Sequence, residues 1–139
     1  MKRYMIAIIL LFSIFGCTAR NIPGKMASAA DPTNIPDLVG TYVINGIDPI
    51  GDEYGGHLTI TSGDDFGTYN LQWIVTGGIQ EGFGVVKGNQ LIVEWQSIEG
   101  ATPARGTAKF TITETGQIYG TRTSENLQGE GQEQAYPNQ

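Results

Sequence analysis

Few residues in this 139-residue chain have the types and spacing that chemistry needs, and the first is Cys17. It is the single cysteine, and it follows Gly16 where an apolar run from Met5 to Phe15 stops. Lys2 and Arg3 precede that run. A basic start, a short apolar core and a small residue before the cut form a secretory signal, here with its cleavage point at a cysteine. A spanning helix needs about 20 apolar residues, roughly twice the length of this run, so export is expected rather than a protein anchor. His57 is the only histidine, which leaves a histidine metal cluster or a Ser-His-Asp triad short of parts. Asp48, Asp52 and Glu53 offer oxygens to calcium but lack the ligand spacing of a calcium loop. Asp64 and Asp65 sit where a hairpin needs turn residues.

Gly82-Phe83-Gly84 has the outline of a phosphate loop, yet no helix-forming pattern follows it to supply amides. HExxH, CxxC, P-loop and dinucleotide patterns do not occur. No nucleophile–base pair stands out, so no catalytic, metal-binding or cofactor-binding residues are assigned and an enzyme is not expected. Trp73 and Trp95 end two similar alternating stretches. They read first as a pair of large core residues, and second as aromatics lining a barrel mouth to stack on a sugar or apolar ligand. Arg122 and Glu133 fall near the closing strands, where they are expected to pair structurally.

The stretch Ile14-Phe15-Gly16-Cys17 resembles the lipobox of bacterial lipoproteins. The resemblance implies that the Cys17 thiol takes a diacylglyceryl group, that a peptidase cuts between Gly16 and Cys17, and that palmitate or a similar chain caps the freed amine. Each buried methylene contributes about 0.8 kcal/mol, so two or more chains anchor stably where one does not. Thr18 follows the cysteine; without an aspartate there, the outer membrane or cell surface is the expected destination. The expected organisation is a signal peptide over 1–16, a lipidated flexible tether over 17–37 and a folded domain over 38–139.

Six basic against fourteen acidic residues remain after the signal is removed, a net charge of −8. A surface that acidic repels phosphate backbones, so nucleic acid is not an expected partner. One cysteine permits no internal disulfide, and the fold must hold through its core. The 20 glycines are about twice the usual share. Spread evenly, they mark turns and bent strands rather than helices.

Thr18 to Pro36 carries Pro23, Pro32 and Pro36 among Ala, Ser, Thr and Asn, with no hydrophobic period. From Leu38 onward the period becomes two. Tyr42 and Ile44, Leu58 and Ile60, then Tyr69, Leu71, Trp73 and Val75 lie on one face of successive runs. Ile79, Phe83 and Val85 start another run, and Leu91, Val93 and Trp95 follow the Gly88-Asn89 turn. Phe110 and Ile112 precede a last run over Gln117 to Thr123, and an eighth strand near Gly131 to Tyr136 is placed to pair with the first. The expected fold is all-β: a small antiparallel up-and-down barrel of about eight strands.

Gly40-Thr41-Tyr42-Val43-Ile44-Asn45-Gly46, Tyr54-Gly55-Gly56-His57-Leu58-Thr59-Ile60, Tyr69-Asn70-Leu71-Gln72-Trp73 and Gly82-Phe83-Gly84-Val85-Val86 are together similar to a family of small secreted or lipid-anchored bacterial β domains. Some of its members carry the label fibronectin-binding protein. The closing Gly129-Glu130-Gly131-Gln132-Glu133 fits the same family. The expected role is a monomeric, non-enzymatic binding module for an extracellular or envelope macromolecule, held to the membrane by the Cys17 lipid. The alternatives are a lipocalin-like carrier of an apolar ligand and an inhibitor of an envelope-targeting hydrolase. Mass spectrometry tests the anchor: the purified protein should begin at an acylated Cys17, and Cys17→Ser should abolish incorporation of labelled palmitate. An intact Met1 or an unmodified thiol overturns this.

Overall fold

The computed structural model describes residues 25–100 and 102–138, so Gly16 and Cys17 lie outside the described residues. Eight strands form: β1 (Gly40–Ile47), β2 (Glu53–Ser62), β3 (Thr68–Val75), β4 (Gly78–Lys87), β5 (Gln90–Gly100), β6 (Arg105–Ile112), β7 (Ile118–Ser124) and β8 (Leu127–Pro137). Each pairs with the next in sequence, and β8 returns to β1 through Ile44↔Ala135 and its neighbours, closing an antiparallel barrel. This is the up-and-down barrel that the alternation predicts. On β3, Leu71 and Trp73 point inward and are buried while Asn70 and Gln72 are exposed. On β5, Leu91, Val93 and Trp95 do the same.

The hairpin signal at Gly88-Asn89 is also found. Lys87 pairs with Gln90, and Gly88 takes a φ of +60°. That left-handed first turn residue is what a tight hairpin with the right-handed strand twist requires. An eight-stranded barrel has an interior just wide enough for side chains. Here Leu58, Ile60, Leu91, Phe110, Ile112 and Ile118 fill it, none exposed beyond 1%. Gly82 faces inward among them, where a Cβ would lie 3.0 Å from the Trp73 ring and 2.9 Å from the Val93 side chain. The missing side chain is the space the indole occupies.

One expectation needs correcting. The segment read as a flexible spacer up to residue 37 is laid across one end of the barrel from Ala27 onward. Ala27 N–H donates to the Gln117 side chain at 2.8 Å, Ala30 N–H to the Ile112 carbonyl at 2.9 Å, and Glu114 N–H to the Ser28 carbonyl at 2.9 Å. The Asn89 side-chain amide at the tip of the β4–β5 hairpin donates to the Ala30 carbonyl at 2.9 Å. Ala30 and Leu38 are buried in the core. A barrel end rimmed by Leu91, Phe110 and Ile112 would otherwise meet water, and covering it recovers roughly 25 cal/mol per Å² of apolar surface. The folded unit therefore starts near Ala27, and this strap plugs the end.

The Tyr42 hydroxyl, itself buried, donates to the Leu38 carbonyl at 2.8 Å and ties β1 to the strap. Burial, then the nearby Asp37 and Tyr69, pushes the Tyr42 phenol up to about 12 from its ordinary 10.0. The folded value lies above the unfolded one, so this contribution to stability is complete below the unfolded value and lost as pH rises through the folded value. Thermal midpoints should hold steady up to about pH 10 and fall between about pH 10 and 12. Tyr42→Phe should reduce that alkaline slope, as read by circular dichroism melts across the range. An identical slope in the variant counts against a buried, neutral Tyr42.

Candidate functional site

Among the described residues, two polar arrangements are candidates for a site, one inside the barrel and one outside. Inside, β7 and β8 aim Arg122 and Glu133 at the interior, because Gly120 pairs with Glu133 and Arg122 with Gly131 on the inward-facing side. Arg122 Nη1 donates to Glu133 Oε2 at 2.8 Å, with 8% and 0% of the side chains exposed. Trp73 Nε1 donates to Glu133 Oε1 at 2.9 Å, and the Tyr54 hydroxyl to Oε2 at 2.6 Å. Arg122 Nη2 donates to the Gln80 side-chain oxygen at 2.7 Å. The guanidinium lies between two indoles, its carbon 4.7 Å from the Trp73 ring centre and 4.5 Å from that of Trp95. Desolvated cation–π contacts contribute about 2 kcal/mol each.

Charges this deep survive only when paired and hydrogen-bonded, and this pair meets both conditions. Among the described residues, every buried side-chain nitrogen and oxygen has a partner. Burial first, and then the Glu133 carboxylate, drives the Tyr54 phenol well above its ordinary value, so it remains a donor. The β4–β5 register shifts between Ile79 and Gln80. Such a bulge re-aims a side chain, here beside the Gln80 that reaches Arg122.

Trp73 and Trp95, the residues singled out for ligand contact, are thus in this cluster, 0% and 7% exposed. Their ring faces are taken by Arg122 rather than turned to solvent. The expected pairing of Arg122 with Glu133 is present. At the other end from the strap, the barrel mouth has a recess of about 220 Å³ bordered by Val75, Gln80, Ser97 and Ala104.

Outside, a groove of about 980 Å³ crosses the sheet. Its floor follows the register line Leu71↔Gly82↔Trp95↔Gly106, whose side chains, where present, point inward and leave bare backbone outward. One wall is the outward row Thr61, Asn70, Phe83, Glu94, Thr107 and Thr123, aligned strand to strand. The other is Thr59, Gln72, Glu81, Gln96, Arg105 and Glu125. Gln96 Nε2 donates to Glu81 Oε1 at 2.9 Å, and Arg105 Nε pairs with Glu125 Oε2 at 2.7 Å. Phe83 stands half-exposed at 48%.

The remaining candidates stand apart from both places. Asp48 Oδ1 accepts the Ile50 and Asp52 amides, an ordinary acidic turn. The Asp65 carbonyl closes the β2–β3 turn against Thr68. His57 is exposed, between Val43 and Ile74 on neighbouring strands. Among the described residues no group of three His, Cys, Asp or Glu is placed to hold a metal. Gly82 and Gly84 face the interior, not a phosphate. The groove walls were not found in the sequence. Their trace is the outward i, i+2 pair on each strand: Asn70 and Gln72, Glu81 and Phe83, Glu94 and Gln96, Arg105 and Thr107.

No known family model matches the chain, and no curated protein matches it. Among solved structures it is similar to a redesigned β-barrel, at 12% identity and a TM-score of 0.60, over 73% of this chain and 92% of that one. It is also similar to a de novo designed fluorescence-activating β-barrel, at 18% and 0.56, over 72% and 93%. A further similar structure is a redesigned β-barrel bound to DFHBI, at 14% and 0.58, over 73% and 94%. At such identities the likeness establishes the fold.

Removing one member of the interior pair leaves a buried charge unmatched. Arg122→Ala and Glu133→Ala should each cost about 3–5 kcal/mol. The double change Arg122→Met with Glu133→Leu should cost less than the two single changes summed, by more than about 1 kcal/mol. Urea unfolding with an unchanged slope measures this. Single losses under about 1 kcal/mol would show that the pair is solvated and not a core element.

Proposed function

We propose that this chain is a lipid-anchored protein of the cell envelope or surface, and that its barrel binds an envelope or extracellular macromolecule through the outer groove without catalysis. The observation that carries this reading is where the free polar surface lies. The interior is occupied by apolar side chains and the Arg122–Glu133 cluster, whereas the groove is lined by polar side chains open to solvent. Of these, Gln72, Thr59, Thr61 and Glu94 have no side-chain partner among the described residues, and Gln96–Glu81, Thr107–Thr123 and Arg105–Glu125 bond to one another. A macromolecule reaches an outer face; only a small ligand reaches an interior.

The strap supports the anchored arrangement. The Ala27–Gln117 bond fixes where the chain joins the barrel, beside the β6–β7 turn. About eight residues separate Cys17 from Lys25, a reach of at most roughly 28 Å. Such a leash keeps the plugged end toward the bilayer and leaves the opposite mouth outward. The barrel itself is not suited to lie in lipid. Outward positions Gln72, Glu81, Glu94, Gln96, Arg105 and Lys109 are exposed and polar, where a spanning barrel carries an apolar band about 25 Å tall.

The likeness to a barrel bound to DFHBI favours a second reading, a carrier for a small apolar ligand. The mouth recess of about 220 Å³ falls below the roughly 300 Å³ at which ligand pockets begin. Beneath it lie Gln80 and Arg122, joined to each other and polar. The two readings separate in one experiment on the full chain bearing Cys17→Ser. Sedimentation with purified cell envelopes should retain it, and Gln72→Ala with Glu94→Ala should weaken retention at least about tenfold, the equivalent of 1.4 kcal/mol. An apolar fluorescent dye should show no saturable one-to-one binding. Saturable dye uptake with envelope retention unaffected by the groove changes would replace the binding module with the carrier.

A further inference from the structure

We infer that the groove takes a linear glycan of neutral or amino-bearing sugars laid across the strands, an inference that rests on the binding role proposed above. The dimensions come first. The two rows stand two residues apart along each strand, about 7 Å between backbones, and follow six of the eight strands at about 4.8 Å spacing, some 24 Å measured along the curved sheet. The depression of about 980 Å³ over these rows is open to solvent, so a ligand rests on the side chains that line it and is not enclosed by them. An α-helix, about 10–12 Å across with its side chains, is wider than the spacing of the two rows.

An extended peptide fits by width but lacks its usual source of affinity. Peptides that bind sheets add a strand at an open edge and draw on main-chain hydrogen bonds. Here β1 pairs with β8, so among the described residues the barrel offers no open edge. The floor beneath the slot is sheet backbone whose amides and carbonyls are already paired along the ladder. Binding must come from side chains alone.

Those side chains match sugar hydroxyls. Gln72 carries both a donor and an acceptor end, and Thr59 and Thr61 do so through one hydroxyl; Asn70 and Gln96 each keep a second amide hydrogen and the carbonyl oxygen beside their bonds to the Ser62 carbonyl and Glu81. A sugar hydroxyl is likewise donor and acceptor at once, and adjacent hydroxyls present both within a few ångströms. Phe83, half-exposed on the wall, supplies the flat apolar surface on which the C–H face of a sugar ring rests. Few other ligand classes need a ring-sized apolar plate flanked by mixed donors and acceptors.

Charge then narrows the sugar. Glu81, Glu94 and Glu125 line the groove with Arg105, and Arg105 is already paired to Glu125. Glu81 and Glu94 remain uncompensated. Uronic-acid or phosphate polymers are repelled, neutral sugars are accepted, and an amino sugar gains a partner in either carboxylate.

Isothermal titration of the full chain bearing Cys17→Ser tests this with hexamers of glucose, N-acetylglucosamine, glucosamine and galacturonic acid, and with a hexalysine peptide. At least one neutral hexamer and the glucosamine hexamer should bind, with the galacturonate at least tenfold weaker. Phe83→Ala should weaken the sugars about tenfold, and Phe66→Ala, on a fully exposed turn residue, should change nothing. Absence of binding by every neutral and amino-bearing hexamer overturns the inference, as does binding indifferent to Phe83→Ala. Hexalysine binding alone overturns it too, reducing the groove to an acidic face. If envelopes are retained through the groove while the sugars fail, the glycan falls and the binding role stands. Loss of groove-dependent retention removes both.

Discussion

A guanidinium and a carboxylate enclosed in a barrel packed with side chains impose the constraint on which the rest depends. Each ion costs several kcal/mol to desolvate, and the surroundings are arranged to offset that. Trp73 and Trp95 cover the two faces of Arg122; Tyr54, Trp73 and Arg122 together supply the donors to Glu133. Two indoles and a guanidinium stacked across one interior need room. The room comes from inward positions without side chains, Gly82 against Trp73 and Gly46 beneath the Tyr54 ring. The glycine excess is therefore in part a packing requirement, not only turn chemistry. Closing strands that carry the ion pair also fix the β7–β8 and β8–β1 registers, since a slip of one residue would turn Glu133 out of the barrel.

That same arrangement leaves the open polar surface on the outside. A barrel whose interior is taken by its own aromatic rings has little left to enclose, whereas its outer rows are set by whatever the pleat leaves facing water. At Gly82 and Gly106 the register line of the floor carries no inward side chain. The neighbouring outward residues form the walls on either side of the register line. Core and groove are thus two faces of one decision. Gly82, whose missing side chain admits the Trp73 ring inside, lies on the register line of the groove floor outside.

The sequence made the barrel legible because period-two alternation reports burial directly. Leu58 with Ile60 and Leu91 with Val93 announce their face whatever their partners. Arg122 and Glu133 could be placed because their strands close the barrel. The strap could not, since nothing in a Pro- and Ala-rich stretch announces that Ala30 will be buried. Its burial is decided by the open barrel end, a tertiary feature with no local period. The groove was hidden for a related reason. Asn70, Phe83, Glu94 and Thr107 become neighbours only through register, and each alone reads as an ordinary exposed strand residue. Alternation marks the two tryptophans as large inward residues, and they are buried, but the cation that occupies their faces lies far away in the chain.

The strap gives the fold a mechanical logic. Tension on the strap enters the barrel through the Ala27–Gln117, Ser28–Glu114 and Ala30–Ile112 bonds, not through β1 alone. These bonds join the strap to the ends of β6 and β7, so force spreads over several strands before it reaches the buried pair. Electrostatics follow the same division of range. At physiological salt the screening length is about 8 Å, so the net acidity of the chain has little effect beyond contact. Glu81 and Glu94 act only on what already lies in the groove. Any selection made by the proposed groove rests on the fit of hydrogen-bonding groups to what touches its walls, with charge deciding only among partners that fit.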